Sequence, residues 1–142
     1  IIGIALRTSN APDAGPVDIP KHWEKFYQEE ILEKIPNKKS KEVVALYCDY
    51  EGDYTKPYSL VIGCEVDSLD DLPEGMVRKV IPGGNYAQFS AVGQHPRALI
   101  ETWGEIWQAS QINRTYTGDY ELYGEKFFNS PQEVSVYIAI EN

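Results

Sequence analysis

One spacing of apolar side chains occurs twice in this chain, and that repeat limits what the chain can fold into. Pro20, Trp23, Tyr27 and Ile31 step forward by three or four residues, as one stripe of an amphipathic helix does. A shift of 76 residues carries them onto Pro96, Leu99, Trp103 and Trp107. The same shift carries Ala45 and Tyr47 onto Glu121 and Tyr123. Few of these pairs are identical, but the hydrophobic pattern agrees at each helical step.

The surrounding sequence gives each helix the same neighbours. Residues 1–6 read as a strand and residues 10–16 as a loop. Asp18 precedes the first helix, with Pro20 in its first turn and Pro36-Asn37 at its end. A basic loop at 38–41 leads to strands at 43–50 and 58–66, joined by a turn at 51–57. The acidic, turn-rich stretch 67–75 marks the midpoint. Residues 76–81 and 86–92 are extended around Pro82-Gly83-Gly84, which reads as one kinked or bulged strand. Pro96 opens the second helix, and strands follow at 117–123 and 134–140. The plan is β-α-β-β, twice: one module at 1–70, a second at 76–142, in a single domain of 142 residues. One copy alone would leave a sheet edge and an apolar face open, and two copies pairing into one sheet would close them.

Charge and cysteine usage narrow the function. Lys and Arg number 13 against 22 Asp and Glu, a net charge of −9. A basic footprint for phosphate backbones is missing, which disfavours direct nucleic-acid binding by this domain. Hydrophobic residues are 42% and interspersed, unlike a disordered acidic tail. No stretch approaches the roughly 18 apolar residues of a membrane span. Cys48 and Cys64 form no CxxC or zinc pattern and read as buried reduced thiols of a cytoplasmic protein. These residues show no signal-peptide pattern, and Ile1, inside an expected strand without a Met, reads as a trimmed start that leaves an upstream signal or partner domain open.

Alternation along the strands places side chains on faces. Val134, Val136, Ile138 and Ile140 share one face, expected to pack on the helices, and Ser135, Tyr137 and Ala139 share the other. Asp119, Glu121 and Tyr123 alternate with Tyr120 and Leu122, and Ala45 and Tyr47 alternate with Val44 and Leu46. Leu60, Ile62, Cys64 and Val66 oppose Val61, Gly63 and Glu65. Both central hairpins are thus expected to offer a second face of Tyr, small residues and one or two carboxylates. Glu121 is the most informative residue there, because Glu is a poor strand former. If covered, its charge needs a partner, which a cationic ligand could supply. Tyr123 and Tyr137 could stack on such a ligand or make cation–π contacts. Trp103 and Trp107 suit either core packing or a groove between helix and sheet.

Other candidates are weaker. Asp49, Glu51 and Asp53 alternate as in a calcium loop, but Tyr54 stands where the loop needs Gly. Gly83-Gly84 lacks the Lys-Ser or Lys-Thr of a phosphate loop. His22 and His95 have no nucleophile set beside them. Glu101 and Glu105 read as solvated, and Arg114 as making local polar contacts. No metal and no cofactor is expected.

The chain resembles the GyrI-like family, the AraC-type or bacterial transcription activator effector-binding domains, near their integron-associated branch. The resemblance rests on Ile19-Pro20 with Trp23 and Phe26, on Tyr47-Cys48-Asp49-Tyr50-Glu51, and on Tyr58 leading to Ile62-Gly63-Cys64. It continues through Ile81-Pro82-Gly83-Gly84-Asn85-Tyr86, Trp103-Gly104-Glu105-Ile106-Trp107 and Asp119-Tyr120-Glu121-Leu122-Tyr123. The terminal strand, residues 134–140, fits too. The resemblance implies an α+β fold: duplicated βαββ modules with pseudo-twofold symmetry, forming one antiparallel sheet with two main helices and a central ligand cleft. It further implies small, often cationic and aromatic, ligands met by a buried Glu, here Glu121. Tyr123, Tyr137 and Trp103 match pocket-lining positions, and Tyr47 and Trp107 complete the expected ligand-binding set.

Three functions stay open at this point. The first is a binding domain for an amphipathic, cationic aromatic molecule. It would stand alone or serve as the sensor of a transcription regulator whose upstream DNA-binding domain is absent from this chain. The second is a hydrolase of the same family acting on strained, cyclopropane-type electrophiles, with Glu121 as its catalytic group. The third is an acidic protein-interaction module. Membrane contact is not expected under any of them.

Overall fold

The computed structural model describes residues 1–11, 14–40, 42–52, 55–94, 97–109, 112–128 and 132–141. Seven strands form one sheet: β1 (Ile2–Thr8), β2 (Val43–Cys48), β3 (Tyr58–Cys64), β4 (Val77–Arg78), β5 (Asn85–Val92), β6 (Gly118–Tyr123) and β7 (Glu133–Ile140). The described residues also form the α-helices α1 (Gly15–Gln28), α2 (Ile31–Lys34) and α3 (Arg97–Gln108), and a 3-10 turn at Glu125–Phe128. The strand order is β4-β1-β3-β2-β6-β7-β5, and every pairing is antiparallel.

From β1 to β5 this order is a palindrome. The outer strands β1 and β5 flank β3 and β7, and β2 meets β6 at the centre. Burial on the helices follows the same 76-residue shift. His22 and Phe26 face the sheet from α1, and Ala98 and Thr102 do so from α3. In the β2–β6 ladder Ala45 pairs with Glu121. The shift relates these same two residues, so a local twofold axis passes between them. The expected duplicated α+β architecture is therefore present.

Apolar clusters cover the helix face of the sheet. Phe26 packs on Ile2, Ile4, Leu60, Ile62 and Cys64 under α1, and Ile106 packs on Val136 and Ile138 under α3. The opposite face has its own core of Ile1, Val44, Leu46, Cys48 and Val61. Val77 and Ile81 pack against it.

That second core explains the main departure from the expected fold. Residues on either side of Pro82-Gly83-Gly84 do not form one kinked strand. β4 pairs with β1 at one edge of the sheet, and β5 pairs with β7 at the other. The chain between them runs across the back of the sheet. Ile81 buries apolar surface on the way, and Pro82 packs over Gly118. Without Val77 and Ile81 above it, the back face would leave Leu46 and Val61 in water, an unfavourable exposure.

The first helix also differs in its ends. It starts at Gly15, not after Asp18, because Gly15 N–H donates to Ser9 O at 2.8 Å and a Cβ there would collide with that oxygen. Pro20 therefore lies inside the helix, where its ring removes one backbone bond. The helix ends at Gln28, and Glu30, at φ 51°, turns the chain into α2, so Ile31 begins a separate turn. Pro96, expected to open the second helix, lies outside the described residues.

Candidate functional site

Between the helix face of the sheet and the two long helices lies a cavity of about 720 Å³. The two modules build it from related positions. Trp23 and Tyr27 line it from α1, and the shift carries them onto Leu99 and Trp103, which line it from α3. Tyr47 and Tyr123 line it from the two central strands. Its rim is apolar and open, with Tyr27 56%, Ile100 67% and Trp107 40% exposed.

Glu121 lies on the local axis, at the floor of the cavity, and is 1% exposed. Its Oε2 accepts hydrogen bonds from Trp103 Nε1 at 2.6 Å and Tyr47 Oη at 3.0 Å. Its Oε1 accepts one from Tyr123 Oη at 2.8 Å. Burial pushes the Glu121 carboxyl above its ordinary pKa, and the three donated hydrogen bonds only partly offset this. Burial and the adjacent carboxylate hold Tyr47 and Tyr123 well above the usual phenol range, so both remain donors. The donors are themselves braced. The Tyr47 ring meets Trp103 edge-on at 5.2 Å, and Tyr123 meets Trp23 at 4.8 Å.

A second carboxylate, Asp119, lies two residues earlier on the same strand face and is fully buried. Its environment is different. Asp119 Oδ2 accepts from Arg114 Nη2 at 2.7 Å and Tyr50 Oη at 2.6 Å, and Oδ1 accepts from Ala139 N–H at 2.8 Å. A guanidinium thus neutralises Asp119. Among the described residues, every hydrogen bond that reaches Glu121 comes from an uncharged group.

The structure brings Glu121, Tyr123, Trp103, Tyr47 and Trp107 together around this cavity. Tyr137 is a correction. Glu121 pairs with Val136, while Tyr137 pairs with Tyr120 and stacks on its ring at 4.7 Å. Tyr120 packs against the back-face core, so Tyr137 faces away from the cavity. The grouping expected from alternation fails by one step of register, which moves every side chain to the other face. Glu121, Tyr47 and Ala45 share the face of the aliphatic side chains under the helices. Glu65 lies on the back face, where it pairs with Lys39 at 3.2 Å.

Alternation along single strands missed much of the cavity wall. Applying the 76-residue shift backwards from Trp103 and Leu99 would have returned Tyr27 and Trp23. Tyr50, Tyr58 and Arg114 also line the cavity, and they come from loops and strand ends that alternation does not place. Arg114 does make a local polar contact, to Asp119, as expected.

The remaining candidates have structural roles. Asp49 pairs with Lys79 at 2.8 Å and Glu51 with Arg7 at 2.7 Å. Asp53, Tyr54 and His95 lie outside the described residues. His22 is buried with Nε2 2.9 Å from Ile4 O, and burial lowers its pKa. Glu101 is exposed and pairs with Arg97 at 3.0 Å. Among the described residues no group of His, Cys, Asp or Glu is placed to hold a metal ion, and no helix is long and apolar enough to cross a membrane.

Comparison with known proteins agrees with the fold. YobU of Bacillus subtilis (strain 168) is 32% identical over 145 residues, covering 98% of this chain and 90% of YobU. The crystal structure of integron cassette protein VCH_CASS2, from the mobile metagenome of Vibrio cholerae, has a TM-score of 0.74 and 30% identity. That match covers 99% of this chain and 88% of the cassette protein. SAV2435, solved bound to tetraphenylphosphonium, shares the fold at a TM-score of 0.69 and 17% identity, over 99% of this chain and 87% of its own. A family model described as integron-associated effector binding protein matches residues 1–140, and the chain belongs to that family.

Proposed function

We propose that this chain binds an amphipathic organic cation with aromatic substituents, and that Glu121 selects for its charge. The observation that carries the reading is the contrast between the two buried carboxylates. Asp119 has a cation inside the protein, whereas among the described residues Glu121 is held by the uncharged donors Tyr47, Tyr123 and Trp103. A buried charge without a counter-charge is costly, and a cation entering the cavity offsets that cost. The aromatic wall supplies apolar area and cation–π attraction.

The geometry also suggests which cations fit. Glu121 is covered by its three donors, so a ligand meets ring faces before it meets carboxylate oxygens. That arrangement favours diffuse, quaternary or delocalised cations over primary ammonium ions, which need acceptors of their own. The tetraphenylphosphonium bound by SAV2435 belongs to the favoured class and supports the reading. Such a binder serves alone or as the sensing part of a transcription regulator. The family description, an effector binding protein, is consistent with both.

Calorimetric titration with N-methylacridinium, beside acridine at a pH where acridine is uncharged, tests the proposal. Tighter binding of the cation is expected. Equal affinity for the two, or heat from neither, would refute it.

A further inference from the structure

The cavity has a second polar position. Arg114 lines it, yet only 6% of the side chain is exposed. The backbone around Arg114 is tied to the end of β7: Thr115 N–H donates to Ala139 O at 3.1 Å, and Glu141 N–H donates to Asn113 O at 2.9 Å. The guanidinium has one ionic partner, with Nη2 donating to Asp119. Its carbon stacks 4.3 Å over the Tyr116 ring. Nε and Nη1 are buried and have no acceptor among the described residues.

This is an unusual way to bury an arginine. A guanidinium offers five N–H donors in a fixed fork, and donors left unsatisfied away from water are costly. Asp119 Oδ2 is shared between Nη2 and Tyr50, Oδ1 accepts from Ala139 N–H, and neither oxygen is hydrogen-bonded to Nε or Nη1. The charge of Arg114 is already balanced by Asp119, but its donor capacity is not. What the position lacks is therefore an acceptor, not an anion. A carboxylate brought here would also face Asp119, a like charge.

The Arg114 end is separated from Glu121 along the wall by tyrosine rings. Tyr47, which donates to Glu121, lies 5.6 Å from Tyr58, and Tyr58 lies 5.8 Å from Tyr50, which donates to Asp119. A ligand whose cation sits at the Glu121 end can reach Arg114 with a short tail.

We propose that Arg114 takes a neutral hydrogen-bond acceptor of the ligand, such as an amide, ester or ketone carbonyl, so that the cavity selects cations bearing such a group. Because Nε and Nη1 are buried, this binding requires the guanidinium to turn over the Tyr116 ring and present them to the cavity. The inference rests on the cation reading above and adds a second determinant to it.

The test uses three phosphonium salts with tails of matched length: pentyl, carbamoylbutyl and carboxybutyl triphenylphosphonium. Affinities are measured by calorimetry on the whole chain. The carbamoyl compound is expected to bind at least about fivefold tighter than the pentyl one, against the trend of their hydrophobicity. The carboxylate compound is expected to fall below the carbamoyl one. In Arg114→Met combined with Asp119→Asn, which removes both charges together, the carbamoyl-to-pentyl ratio is expected to collapse towards one. Arg114→Lys keeps the ion pair and removes the planar fork, and should lower the same ratio if the double variant does not fold. If wild type binds pentyl triphenylphosphonium but gains nothing from the amide, the Arg114 inference fails and the cation reading stands. If wild type binds none of the three salts, the cation reading fails first. A carboxylate tail that binds tightest would overturn the preference for a neutral acceptor.

Discussion

Glu121→Gln separates charge from shape at this site. The change keeps the volume and can keep most of the hydrogen bonding. The Gln oxygen can take the place of Oε2, which accepts from Trp103 and Tyr47, while its amide donates to Tyr123, whose hydroxyl can turn to accept. What disappears is one negative charge. With a cation about 6 Å from the carboxylate, across one ring of the wall, and an effective dielectric of about 20, the lost attraction is about 3 kcal/mol. That corresponds to roughly a hundredfold in Kd, with a tenfold loss as the lower bound after partial relaxation. Acridine, uncharged, should change by less than about threefold, because its apolar contacts remain. The variant should also be more stable than wild type at neutral pH, since a buried, unpaired charge has been removed. Paired calorimetric titrations and thermal melts provide the readouts. Equal loss for cation and neutral compound would refute the reasoning, because it would mean that the substitution had deformed the cavity rather than discharged it.

Further perturbations of the site and the sheet follow from the same contacts. Tyr47→Phe and Tyr123→Phe each remove one hydrogen bond to a buried carboxylate and keep the ring. Each should cost about 1.5–3 kcal/mol of support for the charged form and raise the apparent pKa seen in pH-dependent cation binding. Glu121 has a folded-state pKa above its ordinary value of 4.5, so the folded protein holds that proton more tightly than the unfolded chain. Its contribution to stability is full below 4.5 and is lost as pH rises through the raised folded value. Melting curves across acidic pH would show this as a fall with rising pH that Glu121→Gln lacks. Cation binding favours the ionised form, so affinity should drop as pH falls through the same range. Titrations in buffers of different ionisation enthalpy should then detect proton release. In the sheet, Gly3 and Gly63 face each other across β1 and β3 with backbone where a Cβ would stand. Gly63→Ala should destabilise by about 1–3 kcal/mol or more, read by thermal denaturation, without a charge-selective effect on binding.

Local patterns in the chain carried most of the fold. The helical stripes at Trp23–Tyr27 and Leu99–Trp103 were legible because an apolar step of four residues has few other solutions. The strands around Glu121 were legible because Val, Ile and Tyr alternate there. Two features were not. Alternation fixes which residues of a strand share a face, but not which face meets its neighbour's, and Tyr137 was lost on that point. Only the Glu121–Val136 pairing decides it. The path of residues 79–84 was hidden for a similar reason. Pro82-Gly83-Gly84 announces a break, but its direction depends on the back-face core that Leu46 and Val61 create once the sheet exists. The Arg114 end of the cavity depends on Asp119 and Ala139, neighbours that only the folded sheet supplies.

The axis between Ala45 and Glu121 bears on how such a site could arise. In a symmetric pair of identical half-chains, any residue beside the axis is present twice. A Glu there would face its own copy directly across the β2–β6 ladder, and two like charges at cross-strand distance oppose pairing. An Ala there would leave the Tyr47 and Tyr123 hydroxyls with no carboxylate to serve. An odd number of charges at a symmetric centre requires the two halves to differ in sequence, which a single chain carrying both halves allows. Carrying both halves in one chain thus permits a single buried charge at the axis, and the Ala45–Glu121 pair is where the two halves are not interchangeable.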